Sequence, residues 1–262
     1  MIDFPSSLHS IFQEIFQTGD FAWKKGWVEG AAGNLSIHLP HYSHLGSFSK
    51  IAPLPAPYPR LQNQYFLVSA SGQRFREFGL DPATTLGIFK ILDNGTHYGI
   101  CWGFENTRPT SELSSHLAIH ELRQFREPIG AVLHVHATHL ILIASYENCR
   151  TAEQLSTVLC HQHTEVDLYL KKGVGYVGFE VPGSIQLAHK SLDSFSQYDL
   201  AIWEGHGAVS VGNSLKQAYD RMEVADKQAE LFLKAEHSGL PRRKLSPYFR
   251  QEIRKALFGD PF

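Results

Sequence analysis

Two histidines one residue apart, His134 and His136, sit in the apolar stretch that begins Ala131-Val132-Leu133. In a strand, side chains two apart leave the same face, so both imidazoles can address one ion. A borderline-soft divalent cation such as Zn²⁺ accepts neutral imidazole nitrogen, and three protein ligands leave a position open for substrate. The third ligand is best sought in Glu204-Gly205-His206-Gly207, where flanking glycines allow a tight turn and present the ring. Fifteen histidines are the one compositional excess, and they direct attention to metal or proton chemistry. An isolated His-x-His pair is as often a core feature as a ligand pair; the glycine-flanked third histidine favours the ligand reading.

Two carboxylates are candidates for proton transfer. Glu112 follows Thr110-Ser111 at a helix start; it is either a first-turn glutamate favoured by the dipole or a general acid/base beside the metal. His116 and His120 continue its face at i+4 and i+8, which suggests one functional carboxylate with histidines packed below it. Glu165 is either a second such group or a strand-edge charge, and residue types leave that choice open. Gly33-Asn34-Leu35-Ser36, Ser69-Ala70-Ser71-Gly72 and Thr110-Ser111 are amide- or hydroxyl-rich turns that, if they converge, would wrap a phosphate with neutral donors. Each alone is ordinary turn chemistry. Cys160, His161 and His163 read as a surface cluster and not as a second site.

These groups need elements to hold them. Leu8, Ile11, Phe12, Ile15 and Phe16 form a helical stripe, with Ser6 or Ser7 as cap. Strands are expected at 33–39, 65–68, 131–136 and 200–203, with a hairpin of 86–92 and 98–102 around Asn94-Gly95. Shorter strands are expected near 165–170 and 174–178. Helices are expected from Thr110 or Ser111 to about Phe125, over 140–146, 184–196 and 214–236. The prolines at 53, 55, 57 and 59 make 51–59 an extended loop inserted within one domain of 1–262. The tail from Pro241 to Phe262 reads as a surface helix. The expected class is mixed α/β, with helices on both faces of a largely antiparallel sheet.

Bulk properties exclude several function classes. A net charge of −2 gives no basic surplus for nucleic acid. The most apolar run, Ala131 to Tyr146, is broken by three histidines and makes a poor membrane span. Ile2-Asp3-Phe4-Pro5 lacks signal-peptide character, and three scattered cysteines form no disulfide framework, so a reducing cytoplasmic setting is the default.

The ordered set Gly33-Asn34-Leu35-Ser36, Thr110-Ser111-Glu112, His134-Val135-His136 and Gly205-His206-Gly207 resembles the class II aldolase/adducin family. Further likeness lies in Leu80-Asp81-Pro82-Ala83 and Val181-Pro182-Gly183, and the whole runs from about residue 15 to 235. The resemblance implies a three-layer α/β/α fold and a homotetramer with active sites near subunit interfaces. It implies Zn²⁺ on His134, His136 and His206, with Glu112 as acid/base. Glu165 would be a second functional glutamate, serving its own site or a neighbour's. Gly33, Asn34, Ser71, Gly72 and Ser111 would hold a substrate phosphate. The implied reaction is reversible cleavage of a ketose 1-phosphate, L-rhamnulose 1-phosphate, to dihydroxyacetone phosphate and L-lactaldehyde through an enediolate. The same scaffold hosts a sugar-phosphate epimerase, a methylthioribulose-1-phosphate dehydratase and the non-catalytic adducin branch. Two departures loosen the phosphate argument: Ala31 where a polar residue is expected, and Gln73 where a lysine often follows the serine-glycine pair.

Overall fold

Alternation along two central strands sets up the molecule. Leu133 and Val135 point to one side and Val132 and His134 to the other, because successive side chains leave a strand on opposite faces. The computed structural model describes residues 5–124, 129–241 and 245–259. Within these, nine strands form one sheet: β1 (Asn34–His38), β2 (Ile51–Pro53), β3 (Tyr65–Ser69), β4 (Leu86–Leu92), β5 (His97–Gly103), β6 (Ala131–Val135), β7 (Gly175–Val177), β8 (Leu200–Trp203) and β9 (Gly207–Gly212). Their spatial order is β2-β5-β4-β3-β1-β6-β9-β8-β7, antiparallel throughout except for the β7–β8 pair.

The described helices are α1 (His9–Lys24), α2 (Pro82–Thr85), α3 (Leu113–Arg123), α4 (Thr138–Ile143), α5 (Ala152–Leu159), α6 (Val166–Tyr169), α7 (Ile185–Phe195), α8 (Leu215–Ser238) and α9 (Pro247–Phe258). One face of the sheet packs against α1, α4, α5 and α8, through Phe12, Ile15, Leu140, Leu155 and Met222 with Leu35, Leu133 and Val135. The other packs against α3 and α7, through Ile119, Leu187 and Phe195 with Val132 and Val209, and through Leu117 with Phe66 and Val68. This is the three-layer α/β/α arrangement with a largely antiparallel sheet.

Several expectations are corrected. Ser6 and Ser7 belong to a single 3-10 turn, and Leu8, with no side-chain hydrogen bond, stands at the cap of α1. Ile51–Pro53, expected as loop, is β2; it lies at the sheet edge, where proline's missing N–H costs no ladder bond. The segment 165–170, expected as a strand, is the short helix α6. The strand β9 and the helix α5 were not anticipated. The end of α3 near Phe125 lies outside the described residues. The tail does form a helix, but it is docked: Arg250 Nη2 and Arg254 Nε donate to Asp167 Oδ1 at 2.8 and 2.7 Å, and Asp167 is fully buried. Burial pushes the Asp167 carboxyl up, yet hydrogen bonds from Arg250 and Arg254 outweigh it and hold it below its usual range.

Candidate metal centre and acid/base site

The site forms where β6 ends, β1 begins and the β8–β9 hairpin turns. Asn34 pairs directly with His134 across the β1–β6 ladder, and His134 with Val209 across β6–β9. On the α3 face of these strands, alternation therefore sets Asn34, Ser36 and His134 beneath the first turns of α3. His136 lies one residue past β6, its backbone N–H donating to Trp27 O at 2.8 Å. His206 is delivered by a turn in which Gly205 takes φ +65°, the left-handed region that glycine enters without cost. Gly207 is required for a different reason: a Cβ there would lie 2.7 Å from Val135 O, 2.9 Å from His134 Cε1 and 3.0 Å from His136 Cδ2.

One nitrogen from each of His134, His136 and His206 lies within 4.8 Å of the others, and among the described residues this is the one His/Cys/Asp/Glu group so placed. The expected Cys160-His161-His163 surface cluster does not form as such: Cys160 is buried at the end of α5, where burial lifts its thiol to about 11. Two rings of this group are oriented from behind, as metal-bound imidazoles require. His134 Nδ1–H donates to Ala208 O at 3.0 Å, and His136 Nδ1–H to Glu29 Oε1 at 2.8 Å. The indole of Trp203 stacks on His206 and tilts against His134. Burial, helped by His136, lowers His134 to about 3; burial and His134 lower His206 to about 4. These rings are thus neutral, with lone pairs to offer. The donor set, the orientation of its rings and the neutrality of His134 and His206 fit a divalent cation.

Glu112 stands against this triad. Its Oε1 is 3.2 Å from His206 Nε2 and its Oε2 is 3.5 Å from His134 Nε2, while Asn34 Nδ2 donates to Oε2 at 2.8 Å. It is buried. His116 and His120 lie below it on α3, also buried, as the i+4 and i+8 spacing suggested. The three phosphate-type turns do converge. Thr110 N–H donates to Ser69 O at 3.0 Å and Ser71 N–H to Arg108 O at 2.8 Å, and Leu35 N–H donates to Ser69 Oγ at 3.0 Å. Gly33 and Gly72 take φ +79° and +73°, and Ser111 is exposed. The Asn34 side chain, however, is engaged at both polar atoms, by Glu112 and His116. Glu165 lies at the cap of α6, with its N–H near His163 Nδ1 at 3.3 Å, and makes none of the contacts that join the triad to Glu112. Glu29 and Trp203 escaped the sequence reading. Trp203 was signalled by its place beside Glu204-Gly205-His206, whereas Glu29 carries no spacing cue.

Residues 13–233 match the family model described as the Class II Aldolase and Adducin N-terminal domain. The chain belongs to this family. Its relatives include the rhamnulose-1-phosphate aldolase of Escherichia coli, 31% identical over 241 residues, which span 88% of this chain and 86% of that protein. Among solved structures, a sugar-phosphate aldolase from Thermotoga maritima superposes with TM-score 0.81 at 29% identity, covering 90% of this chain and 99% of the other. The L-fuculose-1-phosphate aldolase of Thermus thermophilus shares the fold, with TM-score 0.59 at 17% identity over 89% of this chain and 98% of that one. A family member with aldolase relatives and an intact imidazole triad is a metal-dependent lyase.

Proposed function

We propose that this enzyme reversibly cleaves a ketose 1-phosphate, L-rhamnulose 1-phosphate, to dihydroxyacetone phosphate and L-lactaldehyde, with Zn²⁺ held by His134, His136 and His206. The observation that carries this reading is the placement of a buried carboxylate, Glu112, 3.2 and 3.5 Å from ring nitrogens of two members of the histidine triad. The ion, when bound, supplies Lewis acidity toward the ketose carbonyl oxygen. Glu112 moves the proton that the aldol cleavage requires, since the carbon released from its neighbour must gain one and the reverse reaction must remove it. Its burial keeps bulk water from competing for that transfer. The Trp203 indole covers one side of His206 and limits how far that ring can swing.

Gly33, Asn34, Ser71, Gly72 and Ser111 bind the phosphate in this reading. Their convergence at one end of β1 and β3 supports it, and Asn34 contributes there through its remaining amide hydrogen. Glu165 is, in the same reading, a second functional glutamate in its own or a neighbouring subunit's site of a homotetramer. We read residues 1–262 as one domain because the described strands share a single sheet. A cytoplasmic setting is part of the same proposal. No described helix is long and apolar enough to cross a membrane.

The test is direct. The zinc-loaded enzyme incubated with L-rhamnulose 1-phosphate should release dihydroxyacetone phosphate, measured with a coupled reductase, and Glu112→Gln should cut turnover by about 100-fold or more while retaining metal. Epimerised or dehydrated product without dihydroxyacetone phosphate would refute the aldolase reading.

A further inference from the structure

Behind Glu112 lies a line of polar side chains in a layer otherwise packed with Phe66, Val68 and Leu117. Asn34 Nδ2 donates to Glu112 Oε2 at 2.8 Å. His116 Nε2 lies 2.5 Å from Asn34 Oδ1, and His116 Nδ1 lies 2.8 Å from Ser36 Oγ. Ser36 Oγ also lies 2.9 Å from His120 Nε2. Ser36, His116 and His120 are all buried. Such a set costs free energy to desolvate, and it is tolerated only when every bond is made.

The direction of these bonds follows from the ends inward. The Asn34 amide presents its NH₂ to Glu112 Oε2 and so turns its oxygen, which only accepts, to His116. His116 must then carry its proton on Nε2, which leaves Nδ1 as an acceptor. The Ser36 hydroxyl therefore donates to His116 Nδ1, and His120 donates to Ser36 Oγ from Nε2–H. Both histidines are neutral by burial, as this assignment needs. Every donor in the line points toward Glu112, and each bond polarises the next.

We propose that Asn34, His116, Ser36 and His120 form a one-way hydrogen-bond chain that clamps Glu112 through Oε2 and leaves Oε1, the oxygen facing His206, to exchange the proton. Ser36, His116 and His120 are positioning residues, acting on the carboxylate through Asn34. The proposal rests on Glu112 being the acid/base, and it explains why a serine and two histidines occupy an apolar layer of the core.

Neutron diffraction of the full-length, zinc-loaded enzyme reads the proton positions directly. The expected result is a proton on His116 Nε2 and on His120 Nε2, with the Ser36 hydroxyl hydrogen aimed at His116 Nδ1. A proton on His116 Nδ1 overturns the chain. In parallel, Ser36→Ala should lower kcat about tenfold or more with zinc content and KM unchanged, while Ser36→Thr, which keeps the hydroxyl, restores most of it. A wild-type kcat in a folded Ser36→Ala enzyme overturns the positioning role. Should Ser36→Ala fail to fold, His120→Phe takes its place with the same two readings, a reduced kcat supporting the chain and an unchanged one overturning it. If the wild-type enzyme cleaves no ketose phosphate, the lyase reading falls by itself, and the neutron map still decides the chain.

Discussion

Gly207→Ala is the smallest change that should disable the proposed metal site without replacing a histidine of the triad. The added methyl would begin 2.7 Å from Val135 O, 2.9 Å from His134 Cε1 and 3.0 Å from His136 Cδ2, whereas ordinary contact starts at 3.4 Å. Two of those three neighbours are rings of the histidine triad, and the third is the carbonyl between them. Relief requires movements of about half an ångström, and metal sites tolerate roughly 0.2 Å in ligand distance. The strand cannot yield easily, since Gly207 pairs with Trp203 in the β8–β9 ladder and Val135 pairs with Ala208 in the next. Disturbance of ligand orientation on this scale costs about 10–100-fold in metal affinity, or roughly 1.4–2.7 kcal/mol. Overpacking adds about 1–3 kcal/mol of lost stability. Zinc affinity measured by competition with a chromogenic chelator, alongside urea unfolding, separates the two effects. A Gly207→Ala enzyme that binds zinc as tightly as wild type would refute the claim that the hairpin is packed against the ligand rings.

Three further outcomes follow from the same structure. Asp167→Ala leaves Arg250 and Arg254 facing a buried hole, and breaking such a pair costs about 3 kcal/mol. It should lower Tm by roughly 6–12 °C and speed proteolysis at α9; an unchanged Tm would mean that the helix is not anchored there. Burial lowers His116 to about 3 and holds His120 well below its usual value, so both are neutral in the fold and protonated in the acid-unfolded chain. Their contribution to stability is complete above about pH 6.5 and is lost as pH falls toward their folded values, at about 1.4 kcal/mol per pH unit for each histidine. The urea midpoint should therefore fall between pH 7 and 5, less steeply in His120→Phe; a rising midpoint would contradict this. His206→Ala should abolish both zinc retention and turnover, and unchanged metal content would refute its assignment as a ligand.

Much of the site could be read before any coordinates because its geometry is local. The His134/His136 spacing, the glycines around His206 and the Glu112/His116/His120 periodicity all carry their meaning within a few residues. What could not be read depended on neighbours distant in the chain. Asn34 reads as a phosphate ligand from its turn; that its side chain also meets Glu112 and His116, residues 78 and 82 positions away, has no local cue. The 165–170 segment has alternating apolar residues and reads as a strand; its helical turn is accompanied by the Asp167 pairing with Arg250 and Arg254, 83 and 87 positions on. The strand β9 was missed because Gly-Ala-Val-Ser-Val-Gly is built mostly of small residues and bounded by glycines. Those small residues are needed, since a Cβ on Gly212 would meet Ala218 N at 2.6 Å, where α8 starts against the sheet. Pro53 argued against a strand, and only the sheet order reveals that β2 is an edge.

The measurement that bears most directly on the whole account is anomalous diffraction at the zinc edge from crystals of the purified enzyme. One peak per chain is expected, about 2.0–2.1 Å from a nitrogen of each of His134, His136 and His206. A peak bound elsewhere, or none after incubation with zinc, would contradict it.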